Sequence, residues 1–286
     1  MTRHELAGPV VPPEGKAAPG DGGVAVFHPQ PAAPAGPGIT RVSVIVPAYN
    51  EVASIEQTLG EISAYFRAKP YDFEIIVAAD GDDGTREHVE RMAARDPRLR
   101  VIGQRERRGK GFGIREGVRL ATGDVVGFVD ADNKTPIQEF DKFEGSLASG
   151  CDVVIGSRGL RNSRIERPQP WYRRLGSRGF GLFMHSVIGL GHIVDTQCGF
   201  KFFRREVAVD LFSRQQVDGY MFDVEILDLA NRAGYRLEQV PVRWHDDGDS
   251  RLQLVRGNFR NVADILRIHM SRYRRSRTGG DGGPTA

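Results

Sequence analysis

Two aspartates one residue apart, Asp130 and Asp132, are the residues of this sequence best suited to chemistry. They directly follow residues 125–129, which are all apolar or small and predict a buried parallel strand. In an open α/β sheet, ligands bind at the carboxyl ends of strands. Two adjacent carboxylates repel each other unless a cation joins them, and their oxygens suit Mg2+ or Mn2+ together with a phosphate-bearing substrate. Alternatively, both aspartates only form the turn after the strand, because so short a motif often occurs by chance.

Three further polar loops, at residues 47–51, 80–85 and 156–158, also follow predicted strands. Because parallel strands end at one edge of a doubly wound sheet, these loops can share one site with the aspartates. Asp80 can accept a hydrogen bond from a ring N–H of uracil or guanine, and Glu51 lies near enough to a strand end to hold a ribose. The alternative is that side chains of the 80–85 loop only cap the following helix.

A glycine-flanked lysine, Lys110, lies between Gly109 and Gly111. A flexible backbone and one cation beside a carboxylate-rich site suit a phosphate group. Taken alone, the tripeptide fits a solvated surface lysine better than a phosphate-binding one.

Strands and helices alternate from Arg41 onward, which predicts an α/β fold with a parallel, doubly wound sheet. The predicted strands are 42–46, 73–79, 99–102, 125–129, 152–156, 199–203 and 237–244, and the predicted helices lie at 55–66, around 89–92, and at 109–120, 137–147, 222–233 and 254–270.

The composition limits the classes of function and compartment. The 286 residues include 40 basic and 37 acidic side chains, a net charge of +3, so we expect no nucleic-acid partner. Cys151 and Cys198 are the only cysteines and have no metal-binding spacing, which favours a reducing compartment.

Three parts of the chain differ in composition. Residues 1–39 are rich in Pro, Gly and Ala and predict a disordered tail. Residues 40–270 form the predicted domain, and residues 271–286 are first basic and then glycine-rich, which predicts a flexible tail.

No apolar run reaches the roughly 20 residues of a membrane-spanning helix, and no signal peptide is evident. We therefore expect a cytoplasmic protein without a transmembrane helix. Residues 171–192 mix aromatic, aliphatic and basic side chains, and arginines cluster at 267–277. Such segments favour peripheral binding to the cytoplasmic face of a membrane. The alternative is that the apolar side chains of 171–192 pack on the sheet and the arginines are solvated.

An ordered set of motifs resembles the family 2 inverting glycosyltransferases of GT-A fold, which have a mostly parallel central sheet flanked by helices. The resemblance covers about residues 41–270, and the later motifs look like dolichyl-phosphate sugar transferases, both glucosyl and mannosyl, with 195–201 most similar to the glucosyltransferase branch. The motifs are Pro47-Ala48-Tyr49-Asn50-Glu51, Asp80-Gly81 with Asp83-Gly84-Thr85, Gly109-Lys110-Gly111, Asp130-Ala131-Asp132, Gly156-Ser157-Arg158, Asp195-Thr196-Gln197-Cys198-Gly199-Phe200-Lys201, Phe222-Asp223-Val224-Glu225 and Gly248-Asp249-Ser250-Arg251.

The resemblance implies a nucleotide-sugar donor. Asp80 would contact the base, and Pro47, Tyr49 and Glu51 would line the nucleoside pocket. The family usually has two consecutive aspartates after the second strand, whereas Ala79 precedes Asp80 here. A UDP-sugar is favoured, and a GDP-sugar stays open.

The resemblance also implies how the donor diphosphate is held. Asp130 and Asp132 would bind Mg2+ or Mn2+ and, through it, the diphosphate, with Asp132 essential for turnover. Lys110 would add a cation, and Arg251 would clamp the diphosphate from a mobile loop. Residues 133–136 replace the glutamine often seen in mannosyl relatives, so the third metal-side ligand stays open.

For the acceptor, the resemblance implies a polyprenyl or dolichyl phosphate. Arg158, together with Arg173 and Ser177, would bind its phosphate, because a guanidinium can donate to two oxygens. A phosphate is already anionic and needs little help from a general base. The remaining candidate catalytic carboxylates, Asp195, Asp223 and Glu225, are therefore less needed as bases. Asp223 and Glu225 either orient the sugar or acceptor or face solvent at a helix start.

The sequence thus predicts an enzyme that moves a hexose, glucose from UDP-glucose in the favoured case, onto a lipid phosphate with inversion. One alternative keeps the site but uses a soluble sugar or glycan hydroxyl as acceptor. That acceptor would require a base, so Asp223 or Asp195 would be essential. Another alternative is a non-catalytic nucleotide-sugar-binding protein, suggested only by the altered Asp80 loop.

Overall fold

Seven of the nine strands form one central sheet, in a computed structural model that describes residues 38–165, 188–245 and 261–270. The strands are β1 Arg41–Tyr49, β2 Asp72–Asp80, β3 Leu99–Ile102, β4 Val125–Val129, β5 Val153–Ser157, β6 Arg164–Ile165, β7 Phe200–Arg204, β8 Leu237–Pro241 and β9 Arg243–Trp244. Their order in the central sheet is β3-β2-β1-β4-β7-β5-β8, and β6 pairs with β9 in a separate two-stranded sheet.

The central sheet is mostly parallel, which confirms the predicted α/β class. Strand β7 is the exception, because it lies antiparallel between β4 and β5. Two strand predictions were wrong in their bounds. Strand β1 continues through Pro47 to Tyr49, and the predicted strand 237–244 is divided between β8 and β9, which belong to different sheets.

Helices flank both faces of the sheet. Val44 and Ile45 are neighbours in β1 and therefore point to opposite faces. The helices are α1 Ile55–Arg67, α2 Thr85–Ala93, α3 Lys110–Leu120, α4 Phe140–Ala148, α5 Arg205–Ser213 and α6 Phe222–Ala233, with a 3-10 turn at Ile137–Glu139 and helical residues at 261–270. Val44 belongs to a buried cluster with α1, α2 and α4, and Ile45 to a second cluster with α3, α5 and α6.

Aromatic side chains fix β7 in the sheet. The ring centroids of Phe140 and Phe202 are 4.6 Å apart, and those of Phe143 and Phe200 are 5.0 Å apart, so β7 packs on α4. A Cβ at Gly127 of β4 would lie 2.1 Å from the Phe202 ring. A larger residue at 127 would therefore displace β7, on which the site depends.

Several predictions fall outside the described residues. They are most of the first predicted tail, all of the second, most of the segment 171–192, the first part of the predicted helix 254–270, and the site residues Arg173, Ser177 and Arg251. The domain boundaries therefore stay predictions. Within the described part of the chain, no helix has the length and apolar character that crossing a membrane requires.

Candidate active site

The carboxyl ends of parallel strands bring the predicted donor residues to one edge of the sheet. Tyr49, at the end of β1, lies opposite Asp80, at the end of β2. Asp130 directly follows β4, which is the other neighbour of β1. Pro47 lies inside β1, opposite Ala78.

Asp130 is held from two sides. The Lys110 ammonium nitrogen, at the start of α3, lies 2.6 Å from Asp130 Oδ1. The Asp130 backbone N–H donates to the Gly199 carbonyl oxygen at 3.1 Å, and a Cβ at residue 199 would lie 2.0 Å from Asp130 Oδ2. Burial lowers the pKa of Lys110, but the carboxylates of Asp130 and Asp223 outweigh it, so the pKa is raised and the amine stays charged.

Asp132 is held within its own turn. Its Oδ1 accepts the Lys134 backbone N–H at 3.3 Å, and its Oδ2 lies 3.2 Å from the Lys134 ammonium nitrogen. Asn133, between them, has a left-handed backbone with φ of +52°. This conformation is uncommon outside glycine but tolerated by asparagine, and it produces the tight turn after Asp130.

The two aspartates fit a divalent cation that is completed by a substrate. No group of three or more His, Cys, Asp or Glu side chains suited to a metal occurs within the ranges that the structure describes. Mg2+ commonly takes one or two carboxylates, with phosphate and water oxygens as its other ligands. The side chains of Asp130 and Asp132 are 38% and 36% exposed, so both are accessible to such a cation.

Asp80 organises the loop between β3 and α3. Its Oδ1 accepts the Gln104 backbone N–H at 3.3 Å, and its Oδ2 accepts the Arg108 backbone N–H at 2.8 Å. A carboxylate oxygen has two lone pairs, so contact with a base is still possible. The predicted role of Asp80 in base recognition stays a prediction.

Arg107, in the same loop, joins two exposed tyrosines and was not found from the sequence. Its guanidinium carbon lies 4.2 Å from the centroid of the Tyr49 ring, within the range of a cation–π contact. Its Nη2 donates to the Tyr220 hydroxyl oxygen at 3.0 Å. The run of basic residues at 105–110 was the available signal for this contact.

The loops after β1 and β2 are joined by hydrogen bonds. The Glu51 backbone N–H donates to Thr85 Oγ1 at 2.9 Å, and Glu51 Oε2 accepts the Ser54 hydroxyl at 3.0 Å. Asp83 accepts the backbone N–H groups of Val52 at 3.1 Å and Thr85 at 3.0 Å. Asp83 thus accepts the backbone N–H of the first residue of α2 from the position before the N-cap residue Gly84, and whether this loop also binds a ligand stays a prediction.

Arg158 and Asp195 form a forked ion pair. Arg158 donates from Nε to Asp195 Oδ2 at 2.7 Å and from Nη2 to Oδ1 at 2.9 Å. Burial raises the pKa of Asp195, but the Arg158 charge and hydrogen bonds outweigh it, so the pKa is lowered. The Arg158 side chain remains 31% exposed and therefore reachable by an anion.

Asp223 pairs with a lysine to which no role was assigned from the sequence. The Lys201 ammonium nitrogen donates to Asp223 Oδ1 at 2.7 Å and to the Cys198 carbonyl oxygen at 2.6 Å. Burial raises the pKa of Asp223, and the charges of Lys201 and Lys110 oppose this rise without cancelling it. Lys201 lies in the predicted motif 195–201, but its partner is not evident from the motif.

Glu225 binds backbone rather than a charged partner. Its Oε1 accepts the Gln216 N–H at 3.0 Å, and its Oε2 accepts the Val217 N–H at 2.8 Å. Burial raises the pKa of Glu225, and these hydrogen bonds oppose the rise. The carboxylate thus fixes the segment before α6.

The family of this chain follows from its sequence. The profile of Glycosyl transferase family 2 matches residues 43–212. The chain belongs to glycosyl transferase family 2. This membership makes the protein a glycosyltransferase and disfavours the non-catalytic alternative.

Curated relatives of this family 2 glycosyltransferase extend the match over most of the chain. A dolichyl-phosphate beta-glucosyltransferase of Trichomonas vaginalis is 33% identical over 243 residues, which cover 81% of this chain and 72% of the relative. The human dolichyl-phosphate beta-glucosyltransferase is 30% identical over 229 residues, covering 74% and 69%. Glycosyltransferase AglD of Haloferax volcanii is 35% identical over 246 residues, covering 83% of this chain but 38% of AglD.

Solved structures confirm the GT-A fold. Glucosyl-3-phosphoglycerate synthase of Mycobacterium tuberculosis, in complex with UDP, has a TM-score of 0.62 and 24% identity, covering 81% of this chain and 80% of that one. Mannosyl-3-phosphoglycerate synthase of Rubrobacter xylanophilus has a TM-score of 0.62 and 20% identity, covering 87% and 78%. At these identities the likeness concerns the fold alone.

Proposed function

We propose that this glycosyltransferase moves glucose from UDP-glucose onto a dolichyl or polyprenyl phosphate, with inversion at the anomeric carbon. The Trichomonas vaginalis and human relatives, which match 81% and 74% of the chain, are named dolichyl-phosphate beta-glucosyltransferases, which supports this acceptor and sugar. The predicted location at the cytoplasmic face of a membrane belongs to the same proposal, because a lipid phosphate resides in a bilayer.

One observation favours a phosphate acceptor over a hydroxyl acceptor. Each of the three carboxylates that could act as a base is already engaged: Asp195 by Arg158, Asp223 by Lys201, and Glu225 by backbone N–H groups. A hydroxyl acceptor needs a base within reach of its proton. A phosphate brings an oxygen that is already ionised, so it can react without any of the three.

With a phosphate acceptor, the reaction requires no proton transfer. An anionic oxygen of the lipid phosphate attacks the anomeric carbon and forms the new C–O bond. The bond from that carbon to the donor diphosphate oxygen breaks on the opposite face, and its electron pair leaves with UDP. Attack from the face opposite the leaving group inverts the anomeric centre.

Asp130 and Asp132 would hold Mg2+ or Mn2+. Such a cation stabilises the charge that develops on the departing diphosphate. Lys110, 2.6 Å from Asp130, adds a second positive charge at the same edge of the sheet. A glucosyl-3-phosphoglycerate synthase structure contains Mn2+ with UDP, but our proposal rests on the two carboxylates of this chain.

The donor and acceptor would occupy opposite sides of Asp130. Asp80 and the Tyr49 ring would take the nucleoside, with Pro47 and Glu51 beside them, and Arg251 would bind the diphosphate. Arg158 would bind the acceptor phosphate, helped by Arg173 and Ser177.

Nucleotide release from a panel of donors tests the proposal. UDP- and GDP-sugars are supplied with Mg2+ or Mn2+, with and without vesicles that contain polyprenyl phosphate. We expect release of UDP from UDP-glucose only when the lipid phosphate is present, and a product of inverted anomeric configuration by NMR. The Asp132→Asn variant should lose this release.

The same panel separates the alternatives. Release with a soluble sugar or glycan and no lipid phosphate would favour a hydroxyl acceptor. Release from a GDP-sugar instead would overturn the proposed donor, and unchanged, fully metal-dependent turnover in Asp132→Asn would overturn the metal assignment.

A further inference from the structure

Lys201 is an unusual residue for the middle of a sheet. It lies in β7 with none of its surface exposed, opposite Phe128 of β4. A charged ammonium away from water is unfavourable unless its hydrogen bonds are satisfied by protein groups. Lys201 therefore depends on the partners that surround it.

Those partners join two separate segments. The Lys201 ammonium binds the carbonyl oxygen of Cys198, two residues before β7, and the carboxylate of Asp223, in the first turn of α6. The buried Lys201 side chain thus links the peptide before β7 to the start of α6.

The peptide between Cys198 and Gly199 packs directly against Asp130. Gly199, next to Cys198, accepts the Asp130 backbone N–H, and its Cα lies so close to the Asp130 carboxylate that no Cβ fits between them. A shift of the Cys198–Gly199 peptide would therefore move Asp130.

The start of α6 also contacts the helix that carries Lys110. A Cβ at Gly111, the second residue of α3, would lie 2.6 Å from Phe222 Cβ, and the Lys110 ammonium lies 6.0 Å from the Phe222 ring. Asp223 directly follows Phe222. The first turn of α6 thus contacts the Lys110 side of the pair through Phe222 and is linked to the Asp130 side through Asp223 and Lys201.

From this arrangement we infer that the buried Lys201–Asp223 pair is a positioning device for Asp130 and Lys110, the residues that meet the donor diphosphate. Lys201 and Asp223 do not touch the substrate in this role. The inference rests on the proposed use of a nucleotide-sugar diphosphate and deepens it, because it gives Asp223 a task other than proton acceptance.

A paired replacement separates positioning from simple stability. Removing one partner of a buried ion pair leaves an uncompensated charge, whereas replacing both by apolar residues is often neutral for stability. The variants are Lys201→Met, Asp223→Leu and the double variant Lys201→Met/Asp223→Leu. Thermal unfolding and the binding of Mn2+ with UDP, measured by calorimetry, are compared in all of them.

We expect both single variants to unfold at lower temperature and the double variant to recover most of the loss. The double variant should nevertheless bind Mn2+ with UDP at least about tenfold more weakly, because Asp130 and Lys110 are no longer held. Recovery of both stability and affinity would overturn the inference. Arg67, the last residue of α1, forms an ion pair with Asp96 at the surface, and Arg67→Met, which removes that pair, is the matched control and should leave affinity unchanged.

The conservative variant Asp223→Asn provides a second test. An amide oxygen can still accept the Lys201 hydrogen bond, so we expect turnover within about tenfold of the wild type. A loss of about a hundredfold or more with unchanged affinity for UDP would identify Asp223 as a proton acceptor and overturn the inference. Failure of both this and the double variant to fold would overturn it as well, since the pair would then be needed for folding.

Wild-type binding distinguishes this inference from the proposed function. If the wild-type protein binds no UDP, the proposed donor is wrong, and the comparison is made with Mn2+ alone. Weaker Mn2+ binding in the double variant would still support positioning, and equal binding would overturn it.

Discussion

Arg158 holds the Asp195 carboxylate in a fork, with Nε 2.7 Å from Oδ2 and Nη2 2.9 Å from Oδ1. The Arg158 and Gln197 backbone N–H groups donate to the same carboxylate at 3.0 and 3.2 Å. Four donors and a lowered pKa make Asp195 a poor proton acceptor. The geometry instead suits a residue that orients Arg158 toward an anion.

The Asp195→Asn variant tests this role. An asparagine cannot accept at both ends of the guanidinium fork, so Arg158 should lose its orientation. We expect KM for polyprenyl phosphate to rise about tenfold, with a smaller change in kcat and an unchanged pH profile. Initial rates at several acceptor concentrations and pH values measure all three.

Arg158→Lys is the companion variant, because it keeps the charge but removes the fork. It should raise the same KM. If Asp195→Asn lowered kcat by about a hundredfold or more at unchanged KM and removed the acidic limb of the profile, Asp195 would be a base.

Gly199 should be intolerant of any side chain. A Cβ there would lie 2.0 Å from Asp130 Oδ2, so Gly199→Ala must displace either the carboxylate or the start of β7. We expect Mn2+ and UDP to bind at least about tenfold more weakly, as measured by calorimetry.

Gly145→Ala, in α4, is the control for this substitution. Nothing lies within 4 Å of the point that a Cβ would occupy at residue 145, and alanine favours the helix by about 0.5–1 kcal/mol. This control should unfold at the same or higher temperature with full affinity. Equal binding in Gly199→Ala would show that Asp130 does not depend on that close contact.

The periodic helices and strands could be predicted from the sequence, whereas the way in which distant strands pair in the sheet could not. Strand β3 and helix α6 have the predicted bounds, since their apolar pattern and flanking residues are local signals. The antiparallel insertion of β7 between β4 and β5 depends on contacts such as Phe202 over Gly127, which join residues distant in the chain. Helix α5 was not predicted at all.

For the candidate site as well, the position of residues could be predicted but their side-chain partners could not. Asp80 and Asp130 could be placed at one edge because parallel strands end together. The partners of Asp223 and Asp195 could not be predicted, because ion pairs between β7 and α6, or between a strand end and a distant loop, leave no spacing in the sequence. Arg107 was missed for the same reason, since its contact with Tyr49 joins two separate loops.

Glu74 should make stability depend on pH. Its Oε1 accepts the Ser43 hydroxyl and both the N–H and hydroxyl of Thr122, each at 2.7 Å. Burial raises the pKa of Glu74, but these bonds and Arg41 outweigh it, so its pKa lies below the ordinary 4.5. Because the folded pKa is below the unfolded one, the ionised group stabilises the fold above pH 4.5, and this contribution is lost as pH falls through the folded pKa.

We therefore expect Glu74→Gln to lower the free energy of unfolding by about 1–3 kcal/mol at neutral pH, as urea denaturation measures it. The difference from the wild type should shrink in acid. A difference of equal size at every pH would show that hydrogen bonding alone, and not the charge, accounts for the effect. Glu90→Gln, at an exposed side chain of α2, is a suitable control.

Arg107 should contribute to donor affinity through the Tyr49 ring. Its guanidinium lies over that ring, and it also contacts Tyr220, through a hydrogen bond to the hydroxyl and at 5.8 Å from the ring centroid. If Tyr49 lines the nucleoside pocket as predicted, loss of Arg107 frees the ring and the loop that Asp80 holds. We expect Arg107→Ala to raise KM for UDP-glucose several-fold, which corresponds to a loss of about 0.5–1 kcal/mol in donor binding. KM for the lipid phosphate should be unchanged.

Tyr220→Phe resolves which contact of Arg107 matters. It removes one hydrogen bond but leaves the guanidinium over Tyr49, so its effect on donor KM should be smaller than that of Arg107→Ala. If Tyr220→Phe had the larger effect, the hydrogen bond would be the functional contact. If Arg107→Ala instead raised KM for the lipid phosphate alone, this loop would serve the acceptor, and the nucleoside pocket would have to lie elsewhere along the edge of the sheet.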